Sequence, residues 1–177
     1  MSTASFIGID PGTKGAVSVV YDNDRVECFD VPTVKYKIGK TTKLRLDVPA
    51  FIDLMSALAM TFDPQLVVIE EVGGLPKQSA PNAFTFGKTT GAMVAALYAA
   101  KLPFVEVPPS VWKRRYRLSS DKDKCRMVAG QLLPAGRTLW SKKTQDGRAE
   151  AALLALYARD TAPAPRKPKA APRRKRR

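Results

Sequence analysis

Three short stretches of this chain set acidic residues where a fold concentrates chemistry. Asp10 follows the apolar run Phe6–Ile9 and precedes Pro11-Gly12-Thr13-Lys14-Gly15, a tight glycine turn. A strand that runs from apolar residues into a carboxylate sets it at a sheet edge facing a crevice, where α/β proteins bind their ligands. Glu70 and Glu71 follow Leu66-Val67-Val68-Ile69 in the same way. Because side chains alternate across a strand, the two point to opposite faces and at most one can share a site with Asp10. The local pattern does not choose between them. Asp146 and Glu150 open a helix whose Ala149, Ala152, Leu153, Leu156 and Tyr157 face the core, and their i, i+4 spacing puts both on one face about a turn apart. Each stretch alone has an ordinary explanation: a turn aspartate satisfying its own backbone, a surface or capping acid, a favourable macrodipole contact. Their conjunction is what a hard-cation site for phosphoryl chemistry requires. Two Mg²⁺ ions ~4 Å apart can activate water and stabilise the leaving oxygen of a phosphodiester. Without metal, the clustered carboxylates raise one another's pKa.

The elements that must position these residues are legible from periodicity and turn chemistry. Residues 6–9 and 16–21 are short β-rich runs joined by the glycine turn, and residues 25–31 follow the Asp22-Asn23-Asp24 turn as a third strand, an antiparallel meander. Phe51, Leu54, Met55, Leu58 and Ala59 have the spacing of one helical face within 47–62, whose first turn suits Asp47 and Pro49. Residues 66–69 read as a buried central strand, 82–100 as a long helix of small residues, 102–107 as a strand, and 121–133 and 146–159 as helices. Three strands followed by alternating helices and strands imply a mixed sheet covered by helices. Residues 33–46, with five lysines or arginines and little apolar content, form a basic loop or hairpin.

Composition bounds the function. The 177 residues are room for one domain, here 1–160, followed by a basic Pro/Ala/Lys/Arg tail at 161–177 that buries nothing and is expected to stay disordered. There is no histidine, which excludes His-based triads, His general bases, zinc sites built on imidazole and haem with a His ligand. Two cysteines are too few for a disulfide framework, no apolar run approaches the ~20 residues of a membrane span, and no basic stretch leads into an apolar block at the N-terminus. A soluble, cytoplasmic protein without membrane partner or small-molecule cofactor is expected. The net charge of +14 points to a polyanion, nucleic acid ahead of acidic membrane. Eight basic residues lie in the tail, so the domain itself holds twenty-two basic against sixteen acidic residues. The tail reads as a sequence-neutral grip on phosphates.

At this point the residues carry a likeness. Ile7-Gly8-Ile9-Asp10-Pro11-Gly12-Thr13-Lys14-Gly15-Ala16-Val17, then Val68-Ile69-Glu70-Glu71-Val72, then Ala149-Glu150-Ala151-Ala152-Leu153-Leu154-Ala155 resemble the three acidic motifs of RuvC-type Holliday junction resolvases, especially the compact phage-borne branch. The order and spacing cover roughly residues 5–159. The resemblance implies an RNase H-like fold with a mixed five-stranded sheet flanked by helices, a homodimer, and paired nicking of four-way DNA junctions dependent on Mg²⁺, for which Mn²⁺ substitutes, with two ions per site. It implies that Asp10, Glu70, Asp146 and Glu150 are the catalytic metal ligands; Glu70 matches because it directly follows the isoleucine, with Glu71 as second choice. Lys113, Arg114 and Arg115 after Trp112, with Lys122, Lys124 and Arg126 further on, resemble the family's basic DNA-facing region, and Lys14 is grouped with them as DNA-binding. Phe84-Thr-Phe86-Gly87-Lys-Thr-Thr-Gly91 resembles its glycine-bearing helix, which makes residues 84–100 the expected dimer interface.

Two departures bear on the expectations. The bacterial enzymes usually carry the final pair as two aspartates at i and i+3, whereas here Asp and Glu stand at i and i+4. They also tend to place an aromatic just after the central glutamate motif, where this chain has Val72-Gly73-Gly74. The first motif resembles the phosphate hairpin of sugar kinases and heat-shock ATPases as well, but that fold needs two lobes and this chain is too short. Walker and dinucleotide-binding glycine patterns are absent. The rival readings are a nuclease of the same fold acting on other branched DNA or on RNA, and a non-catalytic basic nucleic-acid binder, which would bind equally in EDTA and cut nothing.

Overall fold

Glycine and aspartate turns near the N-terminus fold the first thirty residues back on themselves twice. The computed structural model describes residues 4–71, 73, 79–119 and 121–163. In it β1 (Ser5–Asp10), β2 (Ala16–Tyr21) and β3 (Val26–Asp30) form the expected antiparallel meander. Asp24 takes the left-handed conformation that closes the second turn. The basic stretch is a hairpin, β4 (Thr33–Ile38) and β5 (Thr41–Leu46), with Gly39 supplying the positive φ at its tip. It pairs only with itself among the described strands.

Helix α1 (Val48–Phe62) starts where Asp47 accepts a hydrogen bond from the Ala50 N–H and Pro49 fills the first turn. Strand β6 (Leu66–Glu70) then runs parallel to β1, and β7 (Phe104–Val107) parallel to β6, giving the order β3-β2-β1-β6-β7. Helix α2 (Ala80–Ala99) joins these two strands; a short α3 (Pro109–Arg115), α4 (Lys122–Leu132), two 3₁₀ turns and α5 (Asp146–Thr161) follow. Strand β7 starts two residues later than expected because Lys101 adopts a left-handed conformation and Pro103 has no N–H to donate. The periodicity did not reveal α3, which is only seven residues long. The expected tail overlaps the end of α5 at Thr161, and residues 164–177 lie outside the described residues.

The strand periodicity sorts side chains into two cores. Ile7, Ile9, Val67 and Ile69 face α1 and α2 through Phe51, Met55, Met93 and Leu97. Phe6 and Val68 face the opposite layer, where Trp112, Trp140 and the apolar residues of α5 pack. Gly8 lies on this second face, and its missing side chain lets α5 come down onto the strand: a Cβ there would strike the backbone of Ala151, Leu154 and Ala155. Residues 151–156 of α5 are accordingly all buried. This close approach is what carries the first turn of α5 to the end of β1.

Candidate active site

Parallel pairing of β1 with β6 sets Ile9 opposite Ile69, so Asp10 and Glu70 end adjacent strands side by side. The third contributor arrives from above. A Cβ on Gly147 would lie 2.9 Å from Asp10 Oδ2 and 2.7 Å from the Lys14 carbonyl oxygen, so the first turn of α5 rests directly on the loop after β1. Asp146 and Glu150 flank that glycine in the helix, their side chains 15% and 14% exposed. Glu70 is fixed by Trp112, whose Nε1 donates to Oε2 at 2.9 Å. Glu71 is exposed and uses its backbone N–H to bond Val107 O. The ambiguity left by strand alternation thus resolves in space, with Glu70 beside Asp10 and Glu71 turned out.

The electrostatics follow from this crowding. Burial pushes the Asp10 carboxyl well above the ordinary aspartate range; the charges of Glu150, Glu70 and Asp146 push it further, against the pull of Lys122. Glu70 is also raised, by burial first and by Glu150, with the Trp112 hydrogen bond and Lys113 opposing. Two ammonium groups stand among the carboxylates: Lys113 Nζ donates to Glu150 Oε1 at 3.1 Å, and Lys122 pairs with Asp146. Burial disfavours the charge on Lys113, yet its pKa rises because Glu150 and Glu70 surround it. Cys125, the buried thiol nearest the cluster, is pushed up to about 12 by burial and by Glu150. It stays a thiol at neutral pH and is no nucleophile.

Among the described residues, no three acidic or thiol side chains stand closely enough to hold an ion as they are placed. The donor set nevertheless fits a hard divalent cation: it is all oxygen, Asp10 at its centre is disfavoured as a bare anion, and the two lysines pair with Glu150 and Asp146 but, among the described residues, leave Asp10 without a cation of its own. A cation entering here relieves repulsion that the fold otherwise carries. We therefore expect Mg²⁺ or Mn²⁺ to raise the unfolding temperature of the wild-type protein above its value in EDTA. Asp10→Asn is expected to be more stable than wild type in EDTA and to lose most of the cation response. The sign follows from Asp10. Its folded pKa is raised, so its ionisation costs stability above the unfolded pKa, and the gap between variant and wild type should narrow as pH falls through the folded value. A scan showing no cation response in wild type, or a variant less stable than wild type in EDTA, counts against a cation site.

The basic residues divide into two sets. Lys14, Arg114 and Lys124 are exposed, whereas Lys113 and Lys122 belong to the carboxylate cluster. Arg115 turns away: its Nε and Nη2 bond Asp160 Oδ2 at 3.0 and 2.8 Å. Arg126 pairs with Asp123 one turn back. Lys113, Arg114 and Arg117 instead line an open cleft of about 540 Å³ beside α3. Sequence reasoning missed Trp112 as the partner of Glu70, and it missed Arg148. The latter grips both oxygens of Asp30 at 2.6 Å and also bonds Leu139 O at 3.3 Å, tying the first turn of α5 to the end of β3. Its place between Asp146 and Glu150 was visible, but its partner more than a hundred residues earlier was not.

No family model matches the sequence, and neither does any curated protein. Solved structures do match. Thermus thermophilus RuvC in complex with Holliday junction substrate is similar over 90% of this chain and 97% of its own, with a TM-score of 0.57 and 17% identity. A second Thermus thermophilus RuvC structure covers 89% and 97%, with a TM-score of 0.53 and 19% identity. The chain shares the fold of these RuvC structures, a mixed five-stranded sheet flanked by helices, over about nine-tenths of its length.

Proposed function

We propose that this chain is a metal-dependent DNA endonuclease that cuts four-way (Holliday) junctions, with Asp10, Glu70, Asp146 and Glu150 as its metal-binding catalytic residues. The observation that carries the reading is the approach of three carboxylates, Glu70 from β6 and Asp146 and Glu150 from α5, to a half-buried, charge-disfavoured Asp10 at the end of β1. The neighbour solved with Holliday junction substrate supports the choice of DNA.

Bound Mg²⁺ or Mn²⁺, two per site, would activate water for attack on a phosphodiester and stabilise the leaving oxygen. The chain's own contribution is placement and charge. Trp112 holds one oxygen of Glu70 and so fixes the carboxylate's orientation. Lys113 and Lys122 hold Glu150 and Asp146 in the free protein. Both can instead face an incoming phosphate, since an ammonium serves either anion. Lys14, Arg114 and Lys124 are exposed for backbone contact with DNA. One site per chain and two nicks per junction require two chains related by a two-fold axis. The stripe of Gly87, Gly91, Ala95 and Tyr98 on the outer side of α2 is our choice of homodimer interface, since added Cβ atoms at both glycines meet nothing within 4 Å. The segment from 161 onward serves as a basic arm that adds affinity for any DNA.

The test is cleavage of four-way, three-way, flapped and plain duplex DNA, with Mg²⁺ and with EDTA. Nicking of the four-way junction in Mg²⁺ only is expected. Glu70→Gln should be inactive and Glu71→Gln close to wild type; the reverse would move the site by one residue. Binding without cleavage under any divalent ion would make the chain a non-catalytic binder, and preference for flaps or RNA would change its substrate.

A further inference from the structure

A second surface lies between the β4–β5 hairpin and α2. The two enclose a groove of about 640 Å³ whose lining includes Tyr36 and Arg45 from the hairpin and Phe84 and Lys88 from the helix. Phe84 is 74% exposed, a large aromatic that neither core uses. The Arg45 guanidinium sits 5.7 Å from the centroid of the Tyr36 ring, and Lys43 is directly opposite Tyr36 in the ladder. Cations therefore flank the aromatic groups.

The groove's charged lining is Arg45 and Lys88 with one carboxylate, Asp47, which caps α1. The hairpin holds five basic residues and no acidic one. Among the described residues no carboxylate forms a salt bridge with Lys35, Lys37, Lys40, Lys43, Arg45 or Lys88, whereas Arg115, Lys122, Arg148 and Arg159 are each paired. A patch that only neutralised duplex phosphates would need the cations and not the rings. Aromatic faces become useful where base faces are available, and paired, stacked DNA hides those faces.

We propose that this groove holds an unpaired stretch of DNA strand, with bases stacked on Phe84 and Tyr36 and phosphates met by Lys43, Arg45 and Lys88; it deepens the branched-DNA reading above and rests on it. The first turns of α2 lie against the loop that follows Asp10, where a Cβ on Gly12 would be 3.7 Å from the Phe86 ring. The groove runs along the same helix on the side of Phe84, Lys88 and Ala92. Phe84 begins the stripe that Gly87, Gly91, Ala95 and Tyr98 continue at helical spacing, so the groove and the proposed interface between copies border one another along α2, and sedimentation separates the two uses of Phe84.

The experiment is fluorescence anisotropy of the full chain, in EDTA and at about 0.2 M salt to weaken the basic tail's grip. The probes are a labelled oligothymidine of roughly a dozen nucleotides, a size that single-strand grooves accommodate, and a labelled duplex. The double variant Tyr36→Ala/Phe84→Ala should lose ~10-fold or more in affinity for the single strand, as expected when base stacking is removed. It should stay within about twofold of wild type on the duplex, and Phe84→Tyr should bind like wild type. Equal losses on both probes would make the surface a plain phosphate patch, and unchanged single-strand affinity would leave the rings without a role; either overturns the proposal. So does a change in sedimentation coefficient for Phe84→Ala, which would make Phe84 a contact between copies. Because Phe84 is outside the cores, an unaltered unfolding temperature is the check that the variant is folded. No step of this test needs cleavage. A chain that never cuts junctions yet shows the selective loss refutes the nuclease reading and keeps the groove, and a competent nuclease without the loss does the opposite.

Discussion

Asp10→Asn is expected to lower junction cleavage by more than ~10²-fold while junction binding stays equal or becomes tighter. The substitution keeps shape and removes one negative charge from the centre of the cluster, where Glu70, Glu150 and Asp146 already repel it. Cation affinity falls with the loss of an anionic oxygen, and the electrostatic stabilisation of the reacting phosphate falls with it. Binding moves the other way because the phosphates then meet one carboxylate fewer. The check is single-turnover cleavage in Mg²⁺ beside gel-shift or anisotropy titration of the same junction in EDTA. Retained cleavage would remove Asp10 from the chemistry, and a parallel loss of binding would show that it acts through the fold.

The second large effect concerns stability. Gly8→Ala adds a single methyl group where β1 touches α5, and the new atom overlaps backbone of Ala151 and Ala155 and lies 2.8 Å from the Leu154 carbonyl carbon. Backbone cannot rotate away as a side chain can, so the helix must lift from the sheet. Overpacking typically costs 1–3 kcal/mol, and a clash against backbone belongs at or above ~3 kcal/mol. The unfolded-state benefit of replacing glycine, about 0.4–1 kcal/mol, does not offset it. A fall of roughly 6–12 °C in unfolding temperature follows for a domain of this size. Cleavage should drop even at temperatures where the variant is folded, because the same lift carries Asp146 and Glu150 away from Asp10, and a displacement near 1 Å can cost ~10²-fold. Thermal unfolding and cleavage well below the transition measure both. An unfolding temperature within 2 °C of wild type would show that α5 can shift at little cost.

The sequence-based reading and the structure agree where physics is local. The meander follows from a glycine turn and an Asp-Asn-Asp turn, α1 from its cap and its apolar face, and β6 from a continuous apolar run; all are nearest-neighbour signals. The carboxylates were visible as strand-end and helix-start acids. Which of Glu70 and Glu71 belongs with Asp10 was not visible from alternation alone, because alternation gives opposite faces without saying which face the helix covers. The structure answers through Gly8 and Trp112, one permitting α5 to approach and the other holding Glu70 from α3. Ion pairs were the least legible. Arg115 sits in a run of basic residues that suggests DNA, yet Asp160, 45 positions later, takes its guanidinium. Arg148 and Asp30 are 118 positions apart, and nothing in either neighbourhood announces the other.

The hairpin's base gives the fold one more property. The Asp47 N–H bonds the Pro32 carbonyl oxygen at 2.9 Å, so the chain leaves the sheet after β3 and returns to the same spot before entering α1. Bringing two ends together costs an entropy that grows only slowly with the number of residues between them, about 0.6 kcal/mol per doubling. The body of the molecule is therefore nearly indifferent to how long that excursion is or what its tip carries. The carboxylates depend on β1, β6 and α5, none of which the excursion interrupts. Hairpin and carboxylate cluster are thus separable units in this chain: the finger can be lengthened, recharged or exchanged, and the strand ends that would hold the metal stay where the sheet puts them.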